Sequence, residues 1–307
     1  MTTPADIAGQ YTLPGYEPSE ADMVADAMSR PLAEKVASAI GLLQLYEAKA
    51  LELSPEGYWL AYSGGKDSEV ILDLARRAGV KHTANYSCTT LDPPELVRFI
   101  KREHPEVRWH RQPQALLTRV LVRNPPTRMG RWCCAEYKER GGAGVAKIVG
   151  IRVAESARRT KLWRNVVPHR KSGLMVCPIV YWTESDVWQY HRERNLPHCE
   201  LYDQGFSRLG CIGCPLAGPA GQTREFARWP RYAAWWERSV KRFWELHHDG
   251  INSRTGQPLY ASGFPTAQEF WDWWRSGGAF QGEPPACQGE FLFADDSDQP
   301  YMDLEEV

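Results

Sequence analysis

Tyr58-Trp59-Leu60-Ala61-Tyr62-Ser63-Gly64-Gly65-Lys66-Asp67-Ser68 is the stretch that decides the fold. Its first five residues form an apolar, aromatic run of strand length. Beyond Ser68, Val70, Ile71, Leu74, Ala75 and Ala78 recur at helical spacing and Gly79 offers a C-cap, so Gly57 to Gly79 reads as strand, glycine turn, helix. Such a turn is an anion site. Adjacent glycines let backbone N–H groups close around an oxyanion without Cβ interference, and the helix N-terminus adds partial positive charge. Ser63, Lys66 and Ser68 supply further donors. The turn is not a Walker A loop, because Lys66 is followed by Asp67 and the upstream glycine of that motif is missing.

Outward from this turn, strands alternate with helices. Lys81 to Cys88, Val107 to His110, Ala146 to Ile151 and Leu174 to Val180 read as strands. Helices are expected over Pro31 to Ala50, after Asp92 as N-cap with Pro93 at the first helical position, over Ala115 to Val122, and after Thr183-Glu184-Ser185-Asp186. The alternation predicts an α/β fold with a doubly wound parallel sheet, whose ligand site lies at the carboxyl ends of the strands. The C-terminal part reads as an aromatic-rich helical subdomain: Trp229 to His247 carries Tyr232, Trp236, Val240 and Phe243 on one face, and Phe270, Trp271, Trp273 and Trp274 mark a second helix. The expected division is an N-terminal arm and helix over 1–50, a nucleotide-binding α/β domain over 51–195, and a cysteine-rich loop, helical region and acidic tail over 196–307.

The chain has 307 residues and a net charge of −1 that conceals segregation. Arg98 to Lys171 holds 19 Lys/Arg against 5 Asp/Glu, whereas the last 25 residues hold 8 acidic residues and no Lys or Arg. A basic segment beside a phosphate loop suits a polyanionic partner; the alternative is a set of solvated helix faces. No apolar run reaches the roughly 18 residues of a membrane span, and the N-terminus lacks the basic and apolar regions of a signal peptide, so the expected location is cytoplasmic, without a membrane.

Eight cysteines in such a chain point to metal or redox chemistry rather than a disulfide framework. Cys211-Ile212-Gly213-Cys214 is a C-x-x-C knuckle, and Cys133-Cys134 is an adjacent pair upstream, with 76 residues between Cys134 and Cys211. Neighbouring side chains diverge, which a cluster offering separate irons accommodates better than one tetrahedral zinc. Cys88 and Cys177 lie inside apolar strands and read as small buried hydrophobes.

These motifs carry a family resemblance. Ser63 to Ser68 resembles the S-G-G-x-D-S pyrophosphate loop of the N-type ATP pyrophosphatases and sulfonucleotide reductases, the adenine nucleotide alpha hydrolase-like group that includes the PAPS reductases. Gly150-Ile151-Arg152-Val153-Ala154-Glu155-Ser156-Ala157-Arg158-Arg159 resembles the G-x-R-x-x-E-S-x-x-R element of the same group. The cysteine layout resembles both the [4Fe–4S] ligands of adenylyl sulfate reductases and the cysteines of the ATP pyrophosphatase component of DNA phosphorothioation systems. There a cysteine ahead of the knuckle takes part, a place that Cys199 could fill in competition with Cys133.

The resemblance implies ATP with Mg²⁺ bound on Ser63, Gly64, Gly65, Lys66, Asp67, Ser68 and Arg158, with catalysis by Lys66, Asp67 and Arg152. It implies a [4Fe–4S] cluster, or zinc as the alternative, on Cys133, Cys134, Cys199, Cys211 and Cys214. Partners would be a nucleic-acid acceptor, DNA or RNA, a sulfur donor such as a cysteine desulfurase, and other subunits of a modification complex. The leading expectation is an ATP-dependent sulfur-transfer enzyme that releases pyrophosphate. The sulfonucleotide reductases instead use a nucleophilic cysteine in a late E-C-G-x-H element, and the only late cysteine here, Cys287, sits in Pro285-Ala286-Cys287-Gln288-Gly289. Reduction of an adenylyl sulfate to sulfite is the first alternative, and a nucleotide-binding subunit without turnover is the second.

Overall fold

The computed structural model describes residues 19–169, 173–251 and 259–278. Helices α1 (Glu20–Ser29) and α2 (Leu32–Leu53) lead into strand β1 (Tyr58–Tyr62), which passes through the glycine turn into α3 (Lys66–Ala78). There follow β2 (His82–Cys88), α4 (Pro94–Glu103), β3 (Arg108–Arg111), α5 (Leu116–Val120), α6 (Trp132–Tyr137) and β4 (Ala146–Ile148). Helix α7 (Ala157–Leu162), strands β5 (Val166–His169) and β6 (Gly173–Val176) and helix α8 (Glu184–Arg194) complete the α/β part. Beyond it lie α9 (Gly218–Arg228), α10 (Pro230–His247) and α11 (Ala267–Arg275).

The strands form one six-stranded sheet in the order β3-β2-β1-β4-β6-β5. All pairings are parallel except β5 with β6. The order reverses direction between β1 and β4, and a parallel sheet opens a crevice at the carboxyl ends of its strands at such a switch point. The glycine turn leaves β1 on one side of that crevice and Gly150 and Arg152 follow β4 on the other.

Strand β1 and the apolar face of helix α3 form the core of this arrangement, while Arg76 and Arg77 keep the opposite face of α3 in solvent. Tyr58, Leu60, Val70, Ile71, Leu72, Leu74 and Ala75 are all buried, and the buried apolar cluster that contains them continues without a break to Trp236, Phe270 and Trp274 of the C-terminal helices. Trp236 and Trp274 stack with ring centroids 4.7 Å apart. The aromatic stripe of α10 is therefore packing surface for the segment that carries the C-x-x-C knuckle: the Trp236 indole N–H donates to the carbonyl of Ile212 at 2.8 Å.

Several local expectations are corrected. The sequence pattern carries no signal for strand β5, an antiparallel edge strand, or for α1 and α9. The fifth expected strand ends at Val176 rather than Val180, and the fourth ends at Ile148. Asp92 does not cap α4. Pro93 keeps an extended backbone and is itself the boundary residue, while Asp92 turns back to accept from the amide of Thr89 at 2.8 Å and from its hydroxyl at 2.9 Å. Thr183 does cap α8, in a reciprocal box with Asp186. Cys177 is buried, whereas Cys88 is only half-buried at the end of β2. Cys287 and the acidic tail lie outside the described residues.

Candidate functional site

The turn between β1 and α3 is shaped by its glycines. Gly64 has a φ of 72°, and a Cβ there would stand 2.7 Å from Leu96 and from Ile100 of α4. Gly65 is the N-cap of α3 without a side-chain cap, and its carbonyl accepts from the amides of Ser68 at 2.9 Å and Glu69 at 3.1 Å. Ser63 and Ser68 hydroxyls lie 3.3 Å apart, and the Ser68 hydroxyl donates to the Gly65 carbonyl at 2.7 Å, closing the turn on itself.

Around the turn stands a charged array. Lys66 is 5% exposed, and its ammonium donates to the Ser207 carbonyl at 3.0 Å and lies 3.4 Å from a Glu184 carboxylate oxygen. Arg152, 3% exposed, donates from Nε to Asp67 at 2.6 Å and from Nη2 to Glu184 at 2.7 Å. The structure thus brings Ser63, Gly64, Gly65, Lys66, Asp67, Ser68 and Arg152 into one place. Arg158 belongs to α7, and its side chain lies outside the described residues. Arg159 is ion-paired with Glu155.

Three participants went unrecognised in the sequence. Glu184 reads there only as the first helical residue after a Thr cap, yet it bridges Arg152 and Lys66. The Tyr202 hydroxyl accepts from the Lys66 amide at 3.0 Å, with its ring 5.3 Å beneath the Lys66 ammonium. His191 sits against the Lys66 carbonyl, its Nε2 2.9 Å away, and burial pulls its pKa down, so the ring favours the neutral form. No local pattern marks any of the three.

Cys133, Cys134, Cys211 and Cys214 line a single cavity of about 80 Å³, walled by Leu91, Leu116, Leu216 and Trp236 and flanked by Lys138 and Arg208. Cys199, fully buried in the apolar core, is not among its walls. Among the described residues no three His, Cys, Asp or Glu side chains are grouped so as to hold one metal ion. The thiols influence one another strongly. The hydrogen bond from Cys133 draws Cys134 down to about 7 against the effect of burial, helped by Lys138 and Arg131. Cys133 is pushed up by the same hydrogen bond, and burial raises Cys211 and carries Cys214 to about 11.

The loop and the thiols are joined by adjacent residues. Ser207 holds the Lys66 ammonium and Arg208 already lines the thiol cavity, so Tyr202 to Cys214 runs from one site to the other. A larger hollow of about 540 Å³ is lined by Arg98, Arg102, His198 and Glu200, and by none of the loop residues or cavity cysteines. Much of the basic segment is engaged locally: Arg108 pairs with Glu56, and Arg119 and Arg123 both pair with Glu136.

A glycine-shaped anion loop at the switch point of a doubly wound sheet, with buried cations beside it, defines a nucleotide-binding α/β protein. The comparisons with known proteins narrow this. The model of the phosphoadenosine phosphosulfate reductase domain matches residues 57–217, and the chain belongs to that family. It is similar to the adenosine 5′-phosphosulfate reductase of Staphylococcus epidermidis, 30% identical over an alignment of 168 residues that covers 50% of this chain and 68% of that protein. The enzyme of the same name from Staphylococcus haemolyticus is 27% identical over 235 residues, 71% of this chain and 92% of that one. Among solved structures, the phosphoadenylyl-sulfate reductase of Candida auris in its phosphate complex aligns with a TM-score of 0.43 and 17% identity, covering 65% of this chain and 98% of that one. Among the described residues no helix is long and apolar enough to cross a membrane.

Proposed function

We propose that the chain processes a sulfonucleotide, holding the phosphate–sulfate end of an adenylyl sulfate on Ser63 to Ser68 and releasing sulfite by reduction at sulfur. The observation that carries this reading is the Tyr202 to Cys214 segment, which contacts Lys66 at one end and supplies two thiols of a four-thiol cavity at the other. The curated relatives named above as adenosine 5′-phosphosulfate reductases support it.

The four cavity thiols suit a [4Fe–4S] cluster, because soft sulfur donors spread around a pocket can each take a separate iron, and a cluster there would supply electronic polarisation at the far end of the Tyr202 to Cys214 segment. The chain's own groups do the rest. The loop amides and Lys66 bind the terminal oxyanion and stabilise charge gathering on the departing phosphate. Arg152 fixes Asp67 and Glu184, and thereby the position of Lys66. A cysteine thiolate, of Cys287 or another residue, displaces the adenosine phosphate from sulfur and is left as an S-sulfonate, and an external dithiol such as thioredoxin then cleaves that S–S bond, releasing sulfite and the free thiol as it is itself oxidised to the disulfide.

One observation favours a second reading. The sequence around Cys287 lacks the Glu and His of the reductases' late nucleophile element. In that case ATP with Mg²⁺ binds the loop, an acceptor oxygen attacks its α-phosphorus, pyrophosphate leaves, and sulfur from a donor such as a cysteine desulfurase displaces AMP. The basic segment would then hold a nucleic-acid acceptor, with salt-dependent affinity.

Anaerobically purified protein separates the readings. Sulfite released from adenosine 5′-phosphosulfate with thioredoxin, and lost in Lys66→Ala, is the expected result. Pyrophosphate released from ATP without sulfite transfers the assignment to the second reading, and tight nucleotide binding with neither product overturns both in favour of a non-catalytic subunit.

A further inference from the structure

We propose that Tyr202 is a ligand-binding residue of the phosphate loop, its hydroxyl accepting from the Lys66 amide while donating its own proton to the bound oxyanion. The inference rests on the reading of this loop as an anion site.

The Lys66 amide is the first of α3 and has no acceptor within its helix, so it is one of the donors such a loop presents to an anion. Here that amide donates to the Tyr202 hydroxyl at 3.0 Å. The amide is not withdrawn from service by this, because a phenol both accepts and donates. Among the described residues the hydroxyl proton has no acceptor: the bond from Lys66 is the only one the hydroxyl forms. The nearby carboxylates are engaged elsewhere, Asp67 by Arg152 and Glu184 by Arg152 and Lys66.

Three further observations place the phenol at the ligand position. A Cβ on Gly65 would stand 3.2 Å from the Tyr202 oxygen, so the glycine makes room for this hydroxyl as well as for an anion. The ring lies 5.3 Å from the Lys66 ammonium, which holds it at the mouth of the turn. Burial, opposed by the Lys66 amide and reinforced by Asp67, keeps the phenol above its ordinary range, so its proton is retained for donation at neutral pH. An O–H that already accepts an N–H hydrogen bond is polarised into a stronger donor, and the ligand class it serves is a tetrahedral oxyanion, phosphate or sulfate.

The test is calorimetric titration of the full chain with inorganic pyrophosphate, comparing wild type, Tyr202→Phe and Lys66→Ala. Loss of one hydrogen bond to a charged oxygen predicts affinity weakened at least about tenfold in Tyr202→Phe, in protein that a cooperative thermal melt shows to be folded. Tyr202→Leu, which also lacks the hydroxyl, supplies the comparison should the phenylalanine variant not fold. Unchanged or tighter binding without the hydroxyl overturns the inference, since the phenol would then be a bystander or a competitor for the amide. Wild-type protein that binds neither pyrophosphate nor an adenylyl nucleotide overturns the loop reading itself, and this inference with it.

Discussion

Arg152 Nε donates to Asp67 Oδ1 at 2.6 Å, joining the residue after the glycine turn's lysine to the chain that leaves β4 on the far side of the crevice. Its Nη2 reaches Glu184 at 2.7 Å, so one guanidinium ties together three stretches that meet only in the folded protein. Truncating one member of such a network leaves the others uncompensated.

Arg152→Ala is expected to lower stability by about 2–3 kcal/mol, below the full cost of breaking a buried pair because Glu184 is half exposed. Arg152→Lys recovers only part of this, since an ammonium cannot fork to two carboxylates in fixed directions. Urea denaturation measures both. A variant as stable as wild type would mean that Asp67 and Glu184 are held by other contacts.

Gly64 and Gly79 have nearly the same left-handed backbone, with φ of 72° and 70°. Their surroundings differ, and that separates two effects of a new side chain. Nothing lies within 4 Å of a Cβ at Gly79, whereas one at Gly64 meets Leu96 and Ile100 at 2.7 Å. Gly79→Ala is expected to cost about 1 kcal/mol from backbone strain alone, with pyrophosphate affinity intact. Gly64→Ala carries the same strain plus a clash with α4, a total of roughly 2–4 kcal/mol, and loses the anion site. Thermal melts with parallel pyrophosphate titrations decide it; equal behaviour of the two variants would show that packing against α4 does not shape the turn.

The sheet's centre was legible because its signal is local: an apolar run, two glycines and a helical repeat lie within 25 consecutive residues or so, and the folded chain uses them in that order. The Cys133-Cys134 pair and the knuckle were legible by spacing, and they line one cavity. Strand β5 was not, since four residues containing Pro168 at an antiparallel edge leave no alternation to detect. Glu184 and Tyr202 were hidden for a different reason. Tyr202 meets Lys66 across 136 residues of chain, where the Leu201 to Pro215 segment returns over the glycine turn, and Glu184 meets Lys66 and Arg152 from the start of α8.

A buried hydrogen-bonded chain backs the loop and makes stability pH-dependent. His104 Nε2 lies 2.9 Å from Glu69 and Nδ1 3.3 Å from Glu106, while the Tyr62 hydroxyl donates to Glu69. Burial pulls the His104 pKa down, but the hydrogen bond and charge of Glu69, joined by Glu106, outweigh it and the net shift is upward. A raised folded-state pKa gives stabilisation that is complete below the unfolded value of about 6.5 and lost as pH rises through the folded value. The stability difference between wild type and His104→Gln should therefore be larger at pH 6 than at pH 8.5 in urea denaturation. A difference that stays constant or grows over that interval would contradict a charged His104 at low pH.

Cys199 and Cys133 compete for one place in the sequence, and the geometry separates them. Cys133 shares a cavity with Cys134, Cys211 and Cys214, while Cys199 is fully buried as part of the apolar core cluster and is absent from the cavity wall. A thiolate must reach the iron it ligates, so removing a cavity thiol has a different consequence from removing a core thiol. Anaerobically prepared Cys199→Ser is expected to keep wild-type iron and sulfide, about four of each per chain for a [4Fe–4S] cluster, with a modest loss of thermal stability. Cys133→Ser and Cys211→Ser should lose most of the iron and the visible absorption. Iron retained in Cys133→Ser but lost in Cys199→Ser would reverse the assignment, and a colourless wild type with one zinc per chain would replace the cluster altogether.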